Sequence, residues 1–294
     1  MAFSGGADST AMLLAARAHH PGRLVALHVN HGLQAAADDF EAHVRRVCAV
    51  MDVQVRVARV RVPVASGQSL EEAARTARYG ALADLAKECG ATWVLLGQHA
   101  DDQAESLMLA LSRGAGLPGL SGMGATFERN GMRFARPLLH LSAATLRAYV
   151  EVSGTGLVDD PSNSDHRFTR NRIRGVLMPA WERCFPGFRD RLLRSMGHAA
   201  QAQRLLDELA RSDLADIGVP PRLKPLQALS RDRQTNALRH WLRAHEATAA
   251  SEVQMTELLD QVADCRTRGH RIQIKVGAGS VHREGERLVY RPNL

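Results

Sequence analysis

The sequence predicts an α/β protein, in which a parallel sheet with helices on both faces is followed by a smaller helical/α+β C-terminal domain. Two observations predict this fold. Short β-branched runs alternate with helical stretches through the first half of the chain, and the pattern becomes mainly helical from about Leu141. Strands that alternate with helices of this length pair in parallel, and the helices cover the sheet. In such sheets, ligands bind beyond the carboxyl ends of the strands.

The strands of the first half are predicted from three runs rich in β-branched residues, Leu24–Asn30, Val53–Val60 and Thr92–Leu96. The other stretches have helical composition, over about Asp8–His19, Asp38–Met51 and Ser69–Cys89. Helices and strands therefore take turns along the chain, as a parallel sheet requires, because its neighbouring strands need long crossover connections.

The second half begins with helical stretches over Ala143–Val152 and from about Pro186 to Leu209. The segment 218–222 contains two prolines and a glycine, which a helix interior would not carry, so it is predicted to be a connection. Two helical runs and three short strands follow, at 231–245, 252–262, 271–276, 279–283 and 287–290. We therefore predict domains at residues 1–200 and 223–294, joined by a helical linker at 201–222.

The composition is that of an ordinary globular protein and excludes a membrane-spanning one. Hydrophobic residues make up 45% and charged residues 23% of the chain. No run approaches the roughly 18 apolar residues that a membrane helix needs. The first ten residues lack the basic and apolar regions of a secretory signal, so we expect a cytoplasmic location. The four cysteines form no CxxC pair and no zinc-type spacing, and are expected to be buried thiols.

The charge of the chain points weakly to a polyanionic partner. Lys+Arg number 38 against 31 Asp+Glu, a formal net charge of +7, and nearly all the basic residues are arginine. The planar guanidinium of arginine suits phosphate recognition. Eight arginines and three acidic residues lie between Asp165 and Arg194, so most of the excess charge falls in this stretch.

A glycine pair near the amino terminus predicts a phosphate-binding loop. The segment SGGADS, residues 4–9, follows the stub of a strand and precedes a helix. Its glycines can turn backbone N–H groups toward an anion, the helix N-terminus adds positive charge, and the hydroxyls of Ser4 and Ser9 add donors. No Gly-Lys-Ser/Thr follows, so this is not a Walker A loop. The alternative is a glycine-rich turn capped by Asp8 or Ser9.

A second cluster of polar residues leaves the strand that ends at Leu96. The segment 97–105 enters a helix that Asp101 can cap, while Asp102 and Glu105, three residues apart, project on one face. Two carboxylates beside a phosphate loop can hold Mg²⁺ or bind the ammonium of a substrate amine. The alternative is a solvated acidic first turn.

Asn30 and His31 end a strand, where they can meet a nucleotide base or ribose, and a structural hydrogen-bonding role is the alternative. Arg75 and Arg78 share one helix face with Glu71, and here the alternative is a solvated row of ion pairs.

The segment 113–123 is too rich in glycine for the interior of a helix or strand. Further on, residues 159–163 form a polar turn, and Arg170, Arg172 and Arg174 follow at a spacing of two within the basic stretch. Such an arrangement suits contacts with RNA phosphates, and the alternative is a solvated basic face.

Taken in order, these motifs resemble those of the PP-loop ATP pyrophosphatases and, among them, of the tRNA(Ile)-lysidine synthetase family. SGGADS is similar to the SGGxDS signature. Successive family motifs are resembled by seven further segments, in chain order HVNHGL, EEAARTARY, DDQAE, RGAGLPGLSGM, RPLL, DDPSN and RNRIR. The resemblance covers residues 1–200 and continues weakly over 205–294. Two positions depart from the family motifs: Gln98 stands where a histidine is common, and Ser106 stands where the motif has a threonine. In addition, only three residues precede the loop, so the chain is expected to begin inside the first strand.

The resemblance implies a ligase that uses ATP to adenylate the wobble cytidine of tRNA(Ile) with a CAU anticodon. Free L-lysine then displaces AMP and lysidine forms, with residues 1–200 catalytic and 223–294 recognising tRNA. The implied ATP-binding residues are Ser4, Gly5, Gly6, Asp8, Ser9, Asn30, His31 and Arg78. The implied catalytic residues are Asp8, Asp102 and Arg172, with Mg²⁺ at Asp8 and lysine on Asp102 and Glu105. The implied tRNA contacts are Arg75, Arg113, Asn163, Arg170, Asn171 and Arg174.

Other functions stay open at this point. A PP-loop tRNA thiolase would need cysteines or an iron–sulfur cluster near the site, and the chain has no CxxC pair. A small-molecule amidating ligase would explain the loop but not the arginine-rich stretch. A catalytically inactive tRNA-binding paralogue is a further alternative, although the loop residues are intact. The oligomeric state is open as well, with a homodimer among the alternatives.

Overall fold

The computed structural model describes residues 1–20, 22–30, 32, 37–61, 70–155, 169–244, 250–267 and 269–292. The chain divides into two compact units, Met1–Ala199 and Ala200–Leu294. None of the helices in these described ranges is both long and apolar enough to cross a lipid bilayer.

The first unit alternates helices and strands through its first half. Its helices are α1 (Ala7–His19), α2 (Ala37–Val50), α3 (Leu70–Glu88), α4 (Ala100–Ser112), α5 (Leu117–Leu120), α6 (Ala143–Ser153), α7 (Thr169–Arg172) and α8 (Met178–Cys184). Its strands are β1 (Val25–Asn30), β2 (Gln54–Arg59), β3 (Val94–Leu95), β4 (Thr126–Arg129) and β5 (Met132–Ala135). A π-helical segment, Ile173–Leu177, joins α7 to α8.

The amino-terminal residues connect two small groups of strands. β1 pairs in parallel with β2, while β3 pairs in parallel with β5, which also pairs antiparallel with β4. The amide of Phe3 donates to the carbonyl of Leu27 at 2.9 Å, and the amide of Ala2 donates to that of Leu95 at 2.8 Å. Met1–Phe3 therefore lies between β1 and β3, and the phosphate-loop candidate leaves from the middle of the strands.

Hydrophobic cores lie on both faces of these strands. One contains Phe3 of the amino-terminal segment together with residues of three helices, namely Leu13 of α1, Val44 of α2, and Leu146 and Val150 of α6. The other contains residues of α3 and the β4–β5 hairpin, where the buried rings of Tyr79 and Phe134 and the partly buried ring of Phe127 contact one another. Helices thus cover both faces of mostly parallel strands, and the predicted fold class is confirmed.

The second unit has its own core. Helix α9 (Phe188–Ile217) runs through the division between the units and is followed by α10 (Leu223–Gln227), α11 (Arg231–Arg243) and α12 (Glu252–Asp264). Strands β6 (Gln273–Val276), β7 (Gly279–Glu284) and β8 (Arg287–Pro292) form an antiparallel sheet in sequence order. Trp241, Leu258 and Val281 are among its buried residues. The predicted α+β character of this part is confirmed, whereas the exact boundaries at 200 and 222 stay predictions.

Two predictions of local structure were wrong. The glycine-rich segment contains one helical turn, α5, because Pro118 fits the first turn of a helix, where its missing N–H costs nothing. The polar turn predicted at 159–163 lies outside the described residues, and the arginines that follow it lie on helical backbone, where Ile173 and Met178 pack on Ala104 and Met108 of α4. The long helix continues to Ile217 instead of ending near Leu209.

Candidate nucleotide-binding and catalytic site

The loop at residues 4–9 is held in its conformation by hydrogen bonds of its own hydroxyl groups. The amide of Ser4 donates to Oγ of Ser9 at 3.2 Å, and that hydroxyl donates to the carbonyl of Gly6 at 3.0 Å. Gly5 has φ +89, a conformation that favours glycine, and a Cβ there would lie 3.1 Å from Cδ2 of His43. The loop therefore requires glycine at this position both for its backbone and for its packing.

The loop ends at the N-terminus of α1, which carries no side-chain cap. Gly6 is the N-cap residue, and it has no side chain that could accept from the helix amides. The first amides of a helix have no partner within the helix, and together with the helix dipole they attract anions. Ser4 is exposed beside them. This end of α1 is thus suited to a phosphate group.

The end of β1 is fixed by a buried carboxylate on α2. The side-chain amide of Asn30 donates to Oδ1 of Asp38 at 3.2 Å and to Oε2 of Glu41 at 3.3 Å. Burial favours the neutral form of Glu41, but hydrogen bonds from Arg59, Arg45 and Asn30 outweigh it and lower its pKa to about 2. Asn30 is therefore held rigidly at the strand end, while the predicted ligand His31 lies outside the described residues.

The exit of β3 touches the first turn of α1 through backbone atoms. A Cβ on Gly97 would lie 3.2 Å from the carbonyl carbon of Asp8 and 3.2 Å from the amide nitrogen of Ser9. Only glycine allows the two backbones to approach so closely without a shift. The sequence analysis did not single out Gly97, although an isolated glycine at a strand end is the signal that would have found it.

His99 connects the phosphate loop to the carboxylates of α4. Its Nδ1 accepts from the amide of Asp101 at 3.2 Å, and its Nε2 lies 3.4 Å from Oδ2 of Asp8 and 3.5 Å from Oδ2 of Asp102. Asp102 in turn accepts from the amide of His99 at 3.0 Å, which completes a capping box. The carboxylates of Asp8 and Asp102 therefore converge on one imidazole.

The charges around His99 determine its ionisation. Burial on its own lowers the pKa of an imidazole, but here the bond to Asp8 and the negative charges of Asp102 and Asp101 outweigh burial, so the pKa of His99 is raised above 6.5. The protonated ring can no longer accept the bond from the amide of Asp101, but its attraction to Asp8 and Asp102 outweighs this loss, so His99 stabilises the fold while it is protonated.

The predicted cap of α4 was wrong, because His99 rather than Asp101 occupies that position. Asp101 has a different role: its Oδ2 accepts from the amide of Ala143 at 2.8 Å, and its Oδ1 accepts from Nε of Arg189 at 2.6 Å. These bonds lower its pKa against the effect of burial. Asp101 thus ties α4 to the starts of α6 and α9.

Glu105 is fully buried and faces two arginines of the basic stretch. Nε of Arg174 donates to its Oε1 at 2.7 Å, and Nη1 of Arg170 lies 3.9 Å from its Oε2. Nη2 of Arg174 also lies 3.7 Å from Oδ1 of Asp102. Burial raises the pKa of Glu105 more than Arg174 lowers it. Within the described part of the chain, Oε2 of Glu105 has no hydrogen-bond partner.

Two glutamines and an arginine anchor the glycine-rich segment. The side chain of Gln103 donates to the carbonyl of Met123 at 3.0 Å and accepts from its amide at 2.7 Å. Gln98 accepts from Nε of Arg136, which also donates to the carbonyl of Gly124 at 2.7 Å. Gln98, whose role the sequence left open, therefore holds Arg136. Sequence reasoning missed this anchor because its members are far apart along the chain.

A cavity of about 540 Å³ lies where these elements meet. Its lining includes the predicted site residues Ser4, Gly6, Asp8, Ser9, Asn30, Arg78 and Arg174. Arg78 is exposed to this space. Loss of solvent around part of its side chain and the positive charge of Arg75 lower its pKa, while the negative charge of Asp102 acts in the opposite direction. The cavity is thus lined by the loop, by arginines and by the acidic residues Asp8 and Asp101, whereas Asp102 and Glu105 are not among its lining residues.

Some predicted residues lie apart from this centre. Arg172 is exposed, and its Nη2 donates to Thr169 at 3.0 Å within α7, so the structure brings Arg174 instead of Arg172 against the carboxylates. Arg113 follows the last residue of α4 and is exposed. Asn171 lies on α7 beside Arg170, whereas Asn163 lies outside the described residues.

An anion-binding helix end, a close glycine contact and converging carboxylates at strand ends define a nucleotide-binding α/β domain. The PP-loop domain family matches residues 1–181, and the TilS substrate binding domain family matches residues 222–289. The chain belongs to the tRNA(Ile)-lysidine synthase family. The first match makes ATP a substrate of this domain.

Relatives with the name tRNA(Ile)-lysidine synthase cover nearly all of the chain. The protein from Polaromonas naphthalenivorans (strain CJ2) is 55% identical over 99% of this chain and 88% of its own length. The protein from Burkholderia pseudomallei (strain K96243) is 44% identical over 90% of this chain, but only 56% of its own length is matched. The chain thus spans most of one relative and about half of another.

Among solved structures, the U34-tRNA thiolase NcsA from Methanococcus maripaludis resembles the chain with a TM-score of 0.58. The two sequences are 16% identical, and the match covers 67% of this chain and 70% of the thiolase. At this identity the likeness supports the fold alone.

Gly97→Ala should weaken nucleotide binding. The new methyl group would press on backbone atoms of Asp8 and Ser9, so the first turn of α1 must shift. Overpacking of this kind costs about 1–3 kcal/mol, so we expect the Kd for ATP, measured by calorimetry, to rise about tenfold or more. Gly197→Ala is the control, because a Cβ at that helical glycine meets nothing within 4 Å. Equal affinities in the two variants would contradict the assignment.

His99→Asn should remove one component of the pH dependence of stability. Asparagine can still cap α4 but does not titrate. Because the pKa of His99 is raised in the folded protein, its stabilising effect is complete below pH 6.5 and is lost as the pH rises through the folded value. The free energy of unfolding, measured by urea denaturation at several pH values, should therefore differ most between wild type and variant at low pH. A constant difference would refute this role.

Proposed function

We propose that the chain adenylates the wobble cytidine of tRNA(Ile) with a CAU anticodon and then attaches L-lysine to it. The reaction would release pyrophosphate and AMP and leave lysidine. The observation that carries the proposal is the convergence of Asp8 and Asp102 on His99 beside the uncapped end of α1. This arrangement puts an anion site for a triphosphate next to acidic groups that suit an amine.

For ATP, we propose that the loop amides and the hydroxyls of Ser4 and Ser9 bind its phosphates. Gly5 and Gly6 let the backbone take this shape, and Arg78, which also lines the cavity, adds positive charge. Donors that are fixed before the reaction stabilise the charge that builds up when the bond between the α- and β-phosphates breaks. Asn30 and His31 are proposed for the nucleoside.

The donor set fits Mg²⁺, with Asp8 as its proposed ligand. No group of three ligand-type side chains occurs in the described parts of the chain. Mg²⁺ is commonly held by one or two carboxylates together with substrate phosphates and water. The side chain of Asp8 is 42% exposed at the cavity, beside Asp102. A cation there would neutralise charge on the leaving pyrophosphate.

For lysine, we propose binding by Asp102 and Glu105. An ammonium group needs several acceptors, and Oε2 of Glu105 is a buried acceptor without a hydrogen-bond partner among the described residues. Adenylation makes the second step feasible, because an amine displaces AMP far more easily than a base oxygen. Asp102, which also contacts Arg174, and Arg172 are the further proposed catalytic groups.

For tRNA, we propose contacts from both parts of the chain. Arg75, Arg113, Asn163, Arg170, Asn171 and Arg174 would meet the RNA on the catalytic domain, 1–200. Residues 223–294, after the linker 201–222, would recognise a further part of it. A cavity of about 1160 Å³ in the second unit supports this role, since Lys224, Arg266 and Arg271 line it.

Two alternative functions, a tRNA thiolase and an inactive tRNA-binding paralogue, are less well supported. A thiolase would need cysteine chemistry at the site, yet none of the residues that line the site cavity is a cysteine, and Cys48 is buried in a hydrophobic core. An inactive paralogue would not need the aligned carboxylates of Asp8 and Asp102. A cytoplasmic location and the oligomeric state stay predictions.

Incubation of the protein with labelled lysine, ATP and tRNA should yield a modified cytidine. In Asp8→Asn, the carboxylate that we propose for the metal is lost, so product formation should fall at least about 100-fold. Binding of tRNA without ATP, measured by fluorescence anisotropy, should stay nearly unchanged. A variant with full turnover would refute the role of Asp8, and a wild-type protein that labels no tRNA would refute the function.

Glu105→Gln should raise the KM for lysine by about tenfold and the KM for ATP much less, since a neutral amide attracts an ammonium group weakly. Steady-state kinetics with each substrate varied in turn would measure both constants. Glu151→Gln, an exposed change of the same chemistry on α6, is the control. Parallel changes in both KM values of Glu105→Gln would count against lysine binding there.

A further inference from the structure

Three arginines of the first unit surround one tyrosine ring. The Cζ atoms of Arg75, Arg78 and Arg129 lie 5.1, 5.9 and 4.8 Å from the ring centroid of Tyr79. Nη2 of Arg75 donates to the hydroxyl of Tyr79 at 3.4 Å, and Nη2 of Arg129 donates to Oγ1 of Thr76 at 3.3 Å. We call Arg75, Arg78, Arg129 and Tyr79 the Tyr79 cluster.

The β4–β5 hairpin places Arg129 in this cluster. Phe127 pairs with Phe134 and Arg129 pairs with Met132, so these four side chains share one face of the hairpin. Phe127 and Phe134 pack edge-on against Tyr79 of α3. Arg129, two residues after Phe127, therefore extends over the same ring at the rim of this core.

The cluster brings three positive charges together, and among the described side chains the charge of Asp102 acts on Arg78. Among the side chains that the structure describes, no carboxylate forms an ion pair within 4 Å of Arg75, Arg78 or Arg129. A guanidinium has five N–H donors, and Arg129 gives one to Thr76. Stacking on Tyr79 fixes the orientation of these groups and leaves their other donors available. Like charges gathered in this way favour an anion.

The position of the Tyr79 cluster relative to the site cavity indicates whether it binds a triphosphate or a longer polyanion. Arg78 and Tyr79 line the site cavity, whereas Arg75 and Arg129 do not. Arg129 is partly exposed. A triphosphate bound at the loop of residues 4–9 would occupy the cavity itself. An extended polyanion that enters the cavity with one nucleotide has further backbone phosphates, and Arg75 and Arg129 contact the Tyr79 ring that lines this cavity without lining it themselves.

We propose that Arg129, together with Arg75, binds a backbone phosphate of the tRNA next to the nucleotide that enters the cavity. The proposal rests on the proposed function and adds the β4–β5 hairpin to the RNA-binding surface. Guanidinium groups held on an aromatic ring are well suited to such a contact, because phosphate binding needs oriented donors and depends on charge.

Arg133 offers a matched control on the same hairpin. It pairs with Glu128 across the hairpin, so these two side chains lie on the opposite face from Arg129. Its Cζ lies 4.8 Å from the ring centroid of Trp93, and Arg133 is exposed. R129Q and R133Q thus remove the same charge and the same type of stacked arginine from opposite faces of one small sheet.

The test is the binding of unmodified tRNA(Ile) transcript to the full chain without ATP, measured by fluorescence anisotropy at several salt concentrations. R129Q should weaken binding about 5- to 10-fold and reduce the slope of log K against log salt by about 1, as the loss of one phosphate contact predicts. R133Q should leave both quantities unchanged. R129K, which keeps the charge without the planar stacking group, should keep the slope and lose only part of the affinity.

The outcomes separate this inference from the proposed function. If wild type binds tRNA and forms lysidine but R129Q matches R133Q, the inference is overturned and the function stands. If wild type binds no tRNA, the function itself fails. A weaker Kd for ATP in R129Q, with tRNA binding intact, would assign Arg129 to the nucleotide and also overturn the inference. Circular dichroism and the preserved slope of R129K exclude misfolding as the cause of a loss.

Discussion

The site depends on the close approach of two backbones, the exit of β3 and the first turn of α1. Gly97 allows this approach because it has no side chain to separate Asp8 from the strand. Two residues later, His99 caps α4, and its Nε2 lies close to the carboxylates of Asp8 and Asp102. The anion-binding end of one helix and the acidic start of another are thereby held side by side.

Hydrogen bonds between side chains and neighbouring elements hold the surroundings of this contact. Glu41 holds Asn30 at the end of β1, Asp101 ties α4 to α6 and α9, and Gln103 fixes Met123. These bonds use buried or half-buried polar groups, for which the loss of a partner is costly. Side chains with locked orientations are what catalysis by preorganised charges requires.

Much of the fold followed from the sequence, since helical and β-type periodicity alternate clearly up to Leu96. The phosphate loop and the carboxylates of α4 were also predicted, because glycine pairs and acidic first turns are local signals. The β4–β5 hairpin was missed, as its four-residue strands are embedded among glycines. Histidine is an unusual helix cap, so His99 was overlooked in favour of Asp101. Contacts such as that of Arg174 with Glu105 join residues far apart in the chain, and local patterns do not report them.

Gln98 has a consequence for how the site responds to acidity. It accepts a hydrogen bond from Arg136, whose guanidinium stacks on Phe127 and holds the carbonyl of Gly124. A histidine at this position would gain a proton in mild acid and repel that guanidinium. A carboxamide does not ionise in water, so the anchor of the glycine-rich segment keeps the same partners whether the medium is mildly acidic or alkaline.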